Sequence, residues 1–295
     1  MKLYAPEYYK KFKCIADKCD HSCCIGWEID IDAETLEKYE RLEIGYGKTV
    51  KESISFEETP HFKLCENDRC PHLDERGLCR LILNVGEEYL CAICREHPRF
   101  YNFTDVAEVG LGMSCREAAR LILSSEACFK TEHIGEADGE EVLLEFNGRL
   151  ERERVYSLLQ NDDSDYRARL EKIYREYDIE CFDDDYWLGI IESLEYLDES
   201  HRELFMNYSA EKRVLGKEAC LEGALAYFIY RHCTEAFDEE DFRARLAFCL
   251  FCERLLSSLI VSQGAEDLND IAVLASIVSE EIEYSEENTE MLTYR

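Results

Sequence analysis

Apolar residues recur every three to four positions through the second half of the chain, and only in patches before that. That period predicts helices at roughly 141–160, 165–178, 185–208, 217–235, 239–262 and 269–284. The most apolar stretch, Leu246 to Val261, is interrupted by Glu253 and Arg254. It therefore reads as a buried helix and not as a membrane span. The first half shows shorter patterns. Residues 1–13 are mixed and aromatic, as in a strand or a lead-in. Residues 26–32 alternate like a short strand, with a brief alternation again around Ile54 to Phe56. Asp32 is placed to cap a helix carrying Glu34 in its first turn and Leu36, Tyr39 and Leu42 on one face. Val106 to Leu111 alternates as a strand. Ser114 and Glu117 have capping-box spacing, so a helix is expected from near Cys115 to about Ala127. Lys130 to Glu141 is polar with two glycines and reads as a linker. The expected fold is mainly α. Residues 1–130 form a Cys-rich, loop-rich metal-binding domain with a few short strands and helices, and residues 131–295 an all-α helical domain.

Composition narrows the functional classes. The 295 residues suffice for a real core, so disulfide staples are not required. With 65 acidic against 34 basic residues, the formal charge is -31. Such a field disfavours nucleic acid and anionic membranes and favours basic partners. The N-terminus has no apolar stretch of signal-peptide length, so a cytoplasmic location is expected.

Cysteine changes the picture most. Ten of the sixteen lie between Cys14 and Cys115. In a reducing compartment such density points to metal binding or catalysis and not to disulfides. Cys14, Cys19, Cys23 and Cys24 fall in a stretch without helical or strand period, as in loops wrapped around a metal. Cys65, Cys70 and Cys79 follow, with Asp74-Glu75-Arg76-Gly77 as a turn between the last two. Cys91 and Cys94 have chelating CxxC spacing. A Cys-only zinc site or a cubane iron–sulfur cluster each needs four thiolates, and spacing alone does not choose between zinc and iron. His21, His72 and His97 lie within the group as ligands or supporting donors. Cys249 and Cys252, one helical turn apart in the apolar run, read as core, as do Cys128, Cys181, Cys220 and Cys233. There is no P-loop or dinucleotide fingerprint, and the Gly-containing run from Glu108 is not set in a βαβ unit. The Cx3Cx2C spacing of radical enzymes fails because Gly26 occupies its third position.

Several motifs occur together in order. They are Phe12-x-Cys14-x4-Cys19-x3-Cys23-Cys24-x-Gly26-Trp27-x-x-x-Ile31-Asp32; Cys70-Pro71-His72-Leu73 with Cys79; Cys94-x2-His97-Pro98-Arg99; and Glu108-x-x-Leu111-x-x-Ser114-Cys115-x-Glu117-Ala118-Ala119-Arg120. This pattern resembles the flagellin lysine-N-methylases, within a wider group of zinc- or iron-chelating cysteine-cluster proteins. It covers about residues 10–125 and continues faintly through Phe146-Asn147-x-Arg149 and Leu158-Leu159-Gln160. Arg116 departs from it, standing where the family tends to have proline.

The resemblance implies methyl transfer from S-adenosylmethionine to the ε-amine of flagellin lysines, by a protein whose shared cysteines bind an iron–sulfur cluster, 4Fe-4S in type, with zinc as the alternative metal. The shared set is Cys14, Cys19, Cys23, Cys24, Cys70, Cys79, Cys94 and Cys115; Cys65 and Cys91 stand outside it. Near these motifs, Glu108 and Asp30 are candidates for catalytic carboxylates, and Trp27 for the methyl donor's sulfonium through a cation–π contact. Each also has an ordinary structural reading. The alternative function is a non-enzymatic zinc- or iron-binding redox or adaptor module. Flagellin is the expected partner, and the sequence leaves the oligomeric state open.

Overall fold

The computed structural model describes residues 1–43, 45–124, 129–139, 145–160, 164–212, 214 and 216–294. The chain divides into two compact units, one made of Met1–Phe12 with Pro98–Arg295, the other of Lys13–His97. In chain order, strand β1 (Lys2–Pro6) belongs to the first unit. The excursion through the second carries α1 (Ala33–Glu40), α2 (Gly47–Glu52), β2 (Ile54–Ser55), β3 (His61–Phe62), α3 (Arg80–Asn84) and α4 (Ala92–Glu96). The return to the first unit begins with β4 (Arg99–Phe103), β5 (Ala107–Leu111), α5 (Arg116–Leu123) and β6 (Thr131–Glu136). Helices follow: α6 (Gly148–Leu159), α7 (Tyr166–Glu176), α8 (Asp184–Ser193), α9 (Glu199–Phe205), α10 (Glu218–His232), α11 (Glu239–Gln263) and α12 (Leu268–Val278). A π turn (Ser279–Glu283) and α13 (Glu286–Thr293) end the chain. The protein is mainly helical with a small mixed sheet.

That sheet has the order β4-β5-β1-β6, with β1 parallel to β5 and antiparallel to β6. The stretch read as a linker therefore contains an edge strand. Its polar, glycine-bearing sequence suits an edge, and only register against β1 tells it from a loop. The compact units follow a different line from the expected boundary at residue 130, because the stretch 98–124 lies with the helices and β6 adds a strand to them. Residues 141–144 and 125–128, including the ends of two expected helices and Cys128, lie outside the described residues.

Helix α11 runs as the periodicity predicts, capped by the Asp238 carboxylate at one end and by Gly264 in left-handed backbone at the other. Among the described residues, no helix is long and apolar enough to cross a membrane. Cys233, Cys249 and Cys252 are buried in the core, while Cys181 is exposed, against the reading of it as core. The expected helix 185–208 is broken into α8 and α9. The N–H groups of Leu197 and Asp198 donate to the buried Glu281 carboxylate, and Asp198 then caps α9. The expected capping box at Ser114 does not form. Glu117 instead takes the Arg120 guanidinium in two hydrogen bonds, 2.8 and 2.6 Å.

The unit Lys13–His97 is built differently. Among the described residues its main buried cluster has ten members, including Ile29, Ile31, Tyr39, Phe62 and Leu81, and two of the ten are cysteines. The strand expected over 26–32 buries Ile29 and Ile31 as the alternation requires, but among the described residues it pairs through a single bridge, Asp30 with His61, with a second at Ile25 with Arg69 just before it. Short elements around so small an apolar core leave room for a metal to contribute folding free energy.

Candidate metal centre

Three local connections, one between backbone segments and two made by carboxylates, gather the thiols of this second unit. Residues 24–26 lie against 68–70, with the Cys70 N–H donating to Cys24 O at 2.9 Å and Gly26 N–H to Asp68 O at 3.1 Å. Gly26 has φ +93°, a backbone that side-chain-bearing residues rarely adopt. The turn predicted at Asp74–Gly77 forms, with the Asp74 carboxylate accepting from Arg76 and Leu78 N–H at 2.8 and 2.9 Å. It folds Cys79 back to a bridge with Leu73, next to Cys70. Asp32 then ties two helix starts together. One carboxylate oxygen caps α1 at Thr35 N–H, 3.0 Å, and the other accepts from Ala92 N–H at the start of α4, 2.8 Å. That bond fixes the segment carrying Cys91 and Cys94.

The thiols consequently form a run of electrostatic neighbours that makes four of them harder to ionise: Cys24 acts on Cys23, Cys65 with Cys79 and Cys91 on Cys70, Cys23 with Cys91 on Cys79, and Cys24 with Cys70 and Cys91 on Cys94. Burial, with these neighbours, pushes Cys70 up to about 11. Its hydrogen bond to Cys91 above all, and then burial, raises Cys94 far above the ordinary thiol range. Cys91 is lowered, chiefly because it accepts from Cys94, with the Tyr39 hydroxyl 3.5 Å from its sulfur. Backbone N–H groups point at sulfur as well: His72 N–H donates to Cys70 at 3.5 Å, and the N–H groups of Leu81 and Ile82 donate to Cys79. Trp27 donates its indole N–H to the Cys23 carbonyl at 2.9 Å, so it braces the cysteine loop.

Of the eight cysteines singled out by sequence, Cys23, Cys24, Cys70, Cys79 and Cys94 come together. Cys14 is exposed and Cys19 half-buried on the preceding loop, and Cys115 stands at the N-terminus of α5 in the other unit. Cys91, set aside on the resemblance, is fully buried inside the group. Its CxxC spacing with Cys94 was the signal for it. His72 is no open ligand. Ser53 donates its hydroxyl proton to Val50 O, so it accepts from His72 Nε2–H at 3.0 Å, and Nδ1 accepts from the Tyr46 hydroxyl at 2.9 Å. Burial above all, and then Arg80, pulls this imidazole down to about 4.

Glu108 and Asp30 part company. Glu108 lies on β5, 2% exposed, with both oxygens on the Arg152 guanidinium at 2.8 and 2.7 Å. It is a structural partner and is closed to an incoming amine. Asp30 is exposed.

By donor chemistry the thiol group fits a sulfur-ligated metal or cluster: it exceeds four thiols, carries N–H donors to sulfur, and would exchange thiolate repulsion for attraction to a cation. The ligating geometry is not formed. Among the described residues, no three His, Cys, Asp or Glu side chains are arranged to hold a metal ion.

No family model matches the chain, and no solved structure matches it. Curated proteins do align with it. Flagellar biosynthetic protein FliU of Salmonella muenchen is 28% identical over 127 residues, 40% of this chain and 75% of that protein. The lysine-N-methylases of Salmonella typhimurium and Salmonella choleraesuis are 28% identical over the same length, which is 32% of each. The chain is thus similar, over part of its length, to proteins named for lysine methylation and flagellar biosynthesis, and the alignment spans about a third of the methylases.

Proposed function

We propose that the protein is a lysine N-methyltransferase that moves a methyl group from S-adenosylmethionine to flagellin lysines, with an iron–sulfur cluster held by cysteines of Lys13–His97. The observation that carries this reading is the 127-residue alignment with the two lysine-N-methylases. The convergence of thiols supports the cluster. Cys23, Cys24, Cys70, Cys79, Cys91 and Cys94 are the residues that would hold it. Bound there, an iron–sulfur cluster would supply an electrophilic metal and a covalent clamp on the surrounding loops.

The chain's own residues have three tasks in this chemistry. The first is to attract the substrate, which the excess of carboxylates favours for a basic segment. The second is to remove a proton, because an ammonium has no lone pair and lysine ordinarily titrates near pH ~10.4. Of the two carboxylates named from sequence, Asp30 is the exposed one and is open to pair with the incoming ammonium, and the proton leaves to water. The third is to keep the thiol loops in place, which Trp27 does at Cys23 O and Asp32 at Ala92 N–H.

The test is to incubate protein purified without oxygen with isotope-labelled S-adenosylmethionine and flagellin, and to map modified residues by mass spectrometry. Labelled methyl on flagellin lysines is expected. A metal-loaded protein that leaves every lysine unmodified would sink the reading.

A further inference from the structure

A cleft of about 480 Å³ opens in the helical unit, between α6, the end of α7 and the start of α11. Its floor is aromatic. The rings of Phe146 and Tyr177 sit 6.0 and 5.8 Å, centroid to centroid, from that of Phe242, which is 1% exposed. Its walls are acidic: Glu151, Glu176, Asp178, Glu239 and Glu240 line it, against the two guanidiniums of Arg154 and Arg243. Arg154 is already paired with Glu151, 2.6 Å away, and Glu151 also accepts from the Tyr177 hydroxyl at 2.9 Å. Among the described residues, Glu176, Asp178, Glu239 and Glu240 form no ion pair.

Ordinary helix chemistry explains only half of this. Glu239 and Glu240 are in the first turn of α11, where carboxylates oppose the positive end of the helix dipole. Glu176 is the last residue of α7, and Asp178 follows it in left-handed backbone at φ +48°. There a negative charge meets the negative end of the helix, and the conformation is costly for a residue with a side chain. Two unfavourable acids at one wall and two free acids at the other face a common aromatic floor. A cation between them relieves the repulsion, and the rings add cation–π attraction.

We propose that this cleft binds the alkylammonium end of a lysine side chain, methylated or not, presented by a protein segment. The aromatic floor takes the aliphatic stem and any methyl groups, and the carboxylates take the charge. The volume falls in the range of ligand pockets, about 300–1,000 Å³, and accommodates more than the ammonium head. The proposal deepens the lysine-methylation reading, on which it rests for choosing lysine over other cations.

The experiment uses the full chain with no methyl donor present. Three peptides, Gly-Gly-Lys-Gly-Gly and its trimethyl-lysine and acetyl-lysine forms, are titrated by calorimetry against the wild type and the triple variant Glu176→Gln/Glu239→Gln/Glu240→Gln. The lysine and trimethyl-lysine forms are expected to bind, more weakly as salt rises. The triple variant is expected to lose about tenfold in affinity, the combined effect of three partly screened charges. These carboxylates are exposed, and an unchanged circular dichroism spectrum verifies the fold. Equal binding of the acetyl-lysine form, or unchanged affinity in the triple variant, overturns the proposal. Because binding is read without a donor, a protein that binds the charged peptides and transfers no methyl keeps this proposal and loses the methylase reading.

Discussion

Arg152 on α6 grips Glu108 on β5 through two hydrogen bonds of 2.8 and 2.7 Å, with side chains 1% and 2% exposed. The Tyr230 ring lies 4.7 Å from the guanidinium, and Thr234 also accepts from it. The pair links sheet to helix, and neither charge has water to turn to.

Removing one partner therefore strands the other. Glu108→Ala is expected to cost about 3–5 kcal/mol, whereas replacing the pair by Glu108→Leu with Arg152→Met returns much of that loss. Urea denaturation of the three proteins measures both. If Glu108→Gln instead abolished methyl transfer at full stability, Glu108 would be chemical and not structural.

Asp32 caps α1 with one oxygen and holds Ala92 with the other. Asp32→Ala removes both bonds and is expected to destabilise the protein by about 1–3 kcal/mol. Asp32→Asn keeps an acceptor oxygen but offers an NH₂ to the second N–H, and should fall between. Thermal unfolding ranks the three. Equal melting of Asp32→Ala and wild type would contradict the role of this residue in positioning Cys91 and Cys94.

His201 donates to the buried Glu281 at 2.6 Å. That hydrogen bond first, against the opposing effect of burial, holds the imidazole above its ordinary value. A raised folded-state value means stability that is fully present below the unfolded value, near pH 6.5, and lost as pH rises through the folded one. His201→Gln is expected to lose this pH dependence. Denaturant midpoints compared between pH 5 and pH 8 test it, and parallel curves for the two proteins would contradict it.

The legible parts of the chain were the local ones. Asp32 as a cap, the Asp74–Gly77 turn and the long helix from Glu239 each rest on neighbours a few residues apart. The thiol group was legible as density and spacing, which is why Cys91, outside the family pattern, was still marked by CxxC. The missed features are non-local. Strand β6 is specified by its register on β1, more than a hundred residues earlier in the chain. The break between α8 and α9 is fixed by Glu281, and the closure of Glu108 by Arg152. A buried carboxylate and a surface one look alike in a sequence this acidic.

Metal content tests most directly the proposal that the thiols of Lys13–His97 would hold an iron–sulfur cluster. Wild-type protein and the variants Cys79→Ala, Cys94→Ala and Cys249→Ala are purified without oxygen and assayed for iron, sulfide and visible absorption. Iron with sulfide is expected in the wild type and in Cys249→Ala, whose site lies in the helical core, and is expected to be lost in Cys79→Ala and Cys94→Ala. A colourless wild type carrying only zinc, or iron retained unchanged in both Cys79→Ala and Cys94→Ala, would contradict it.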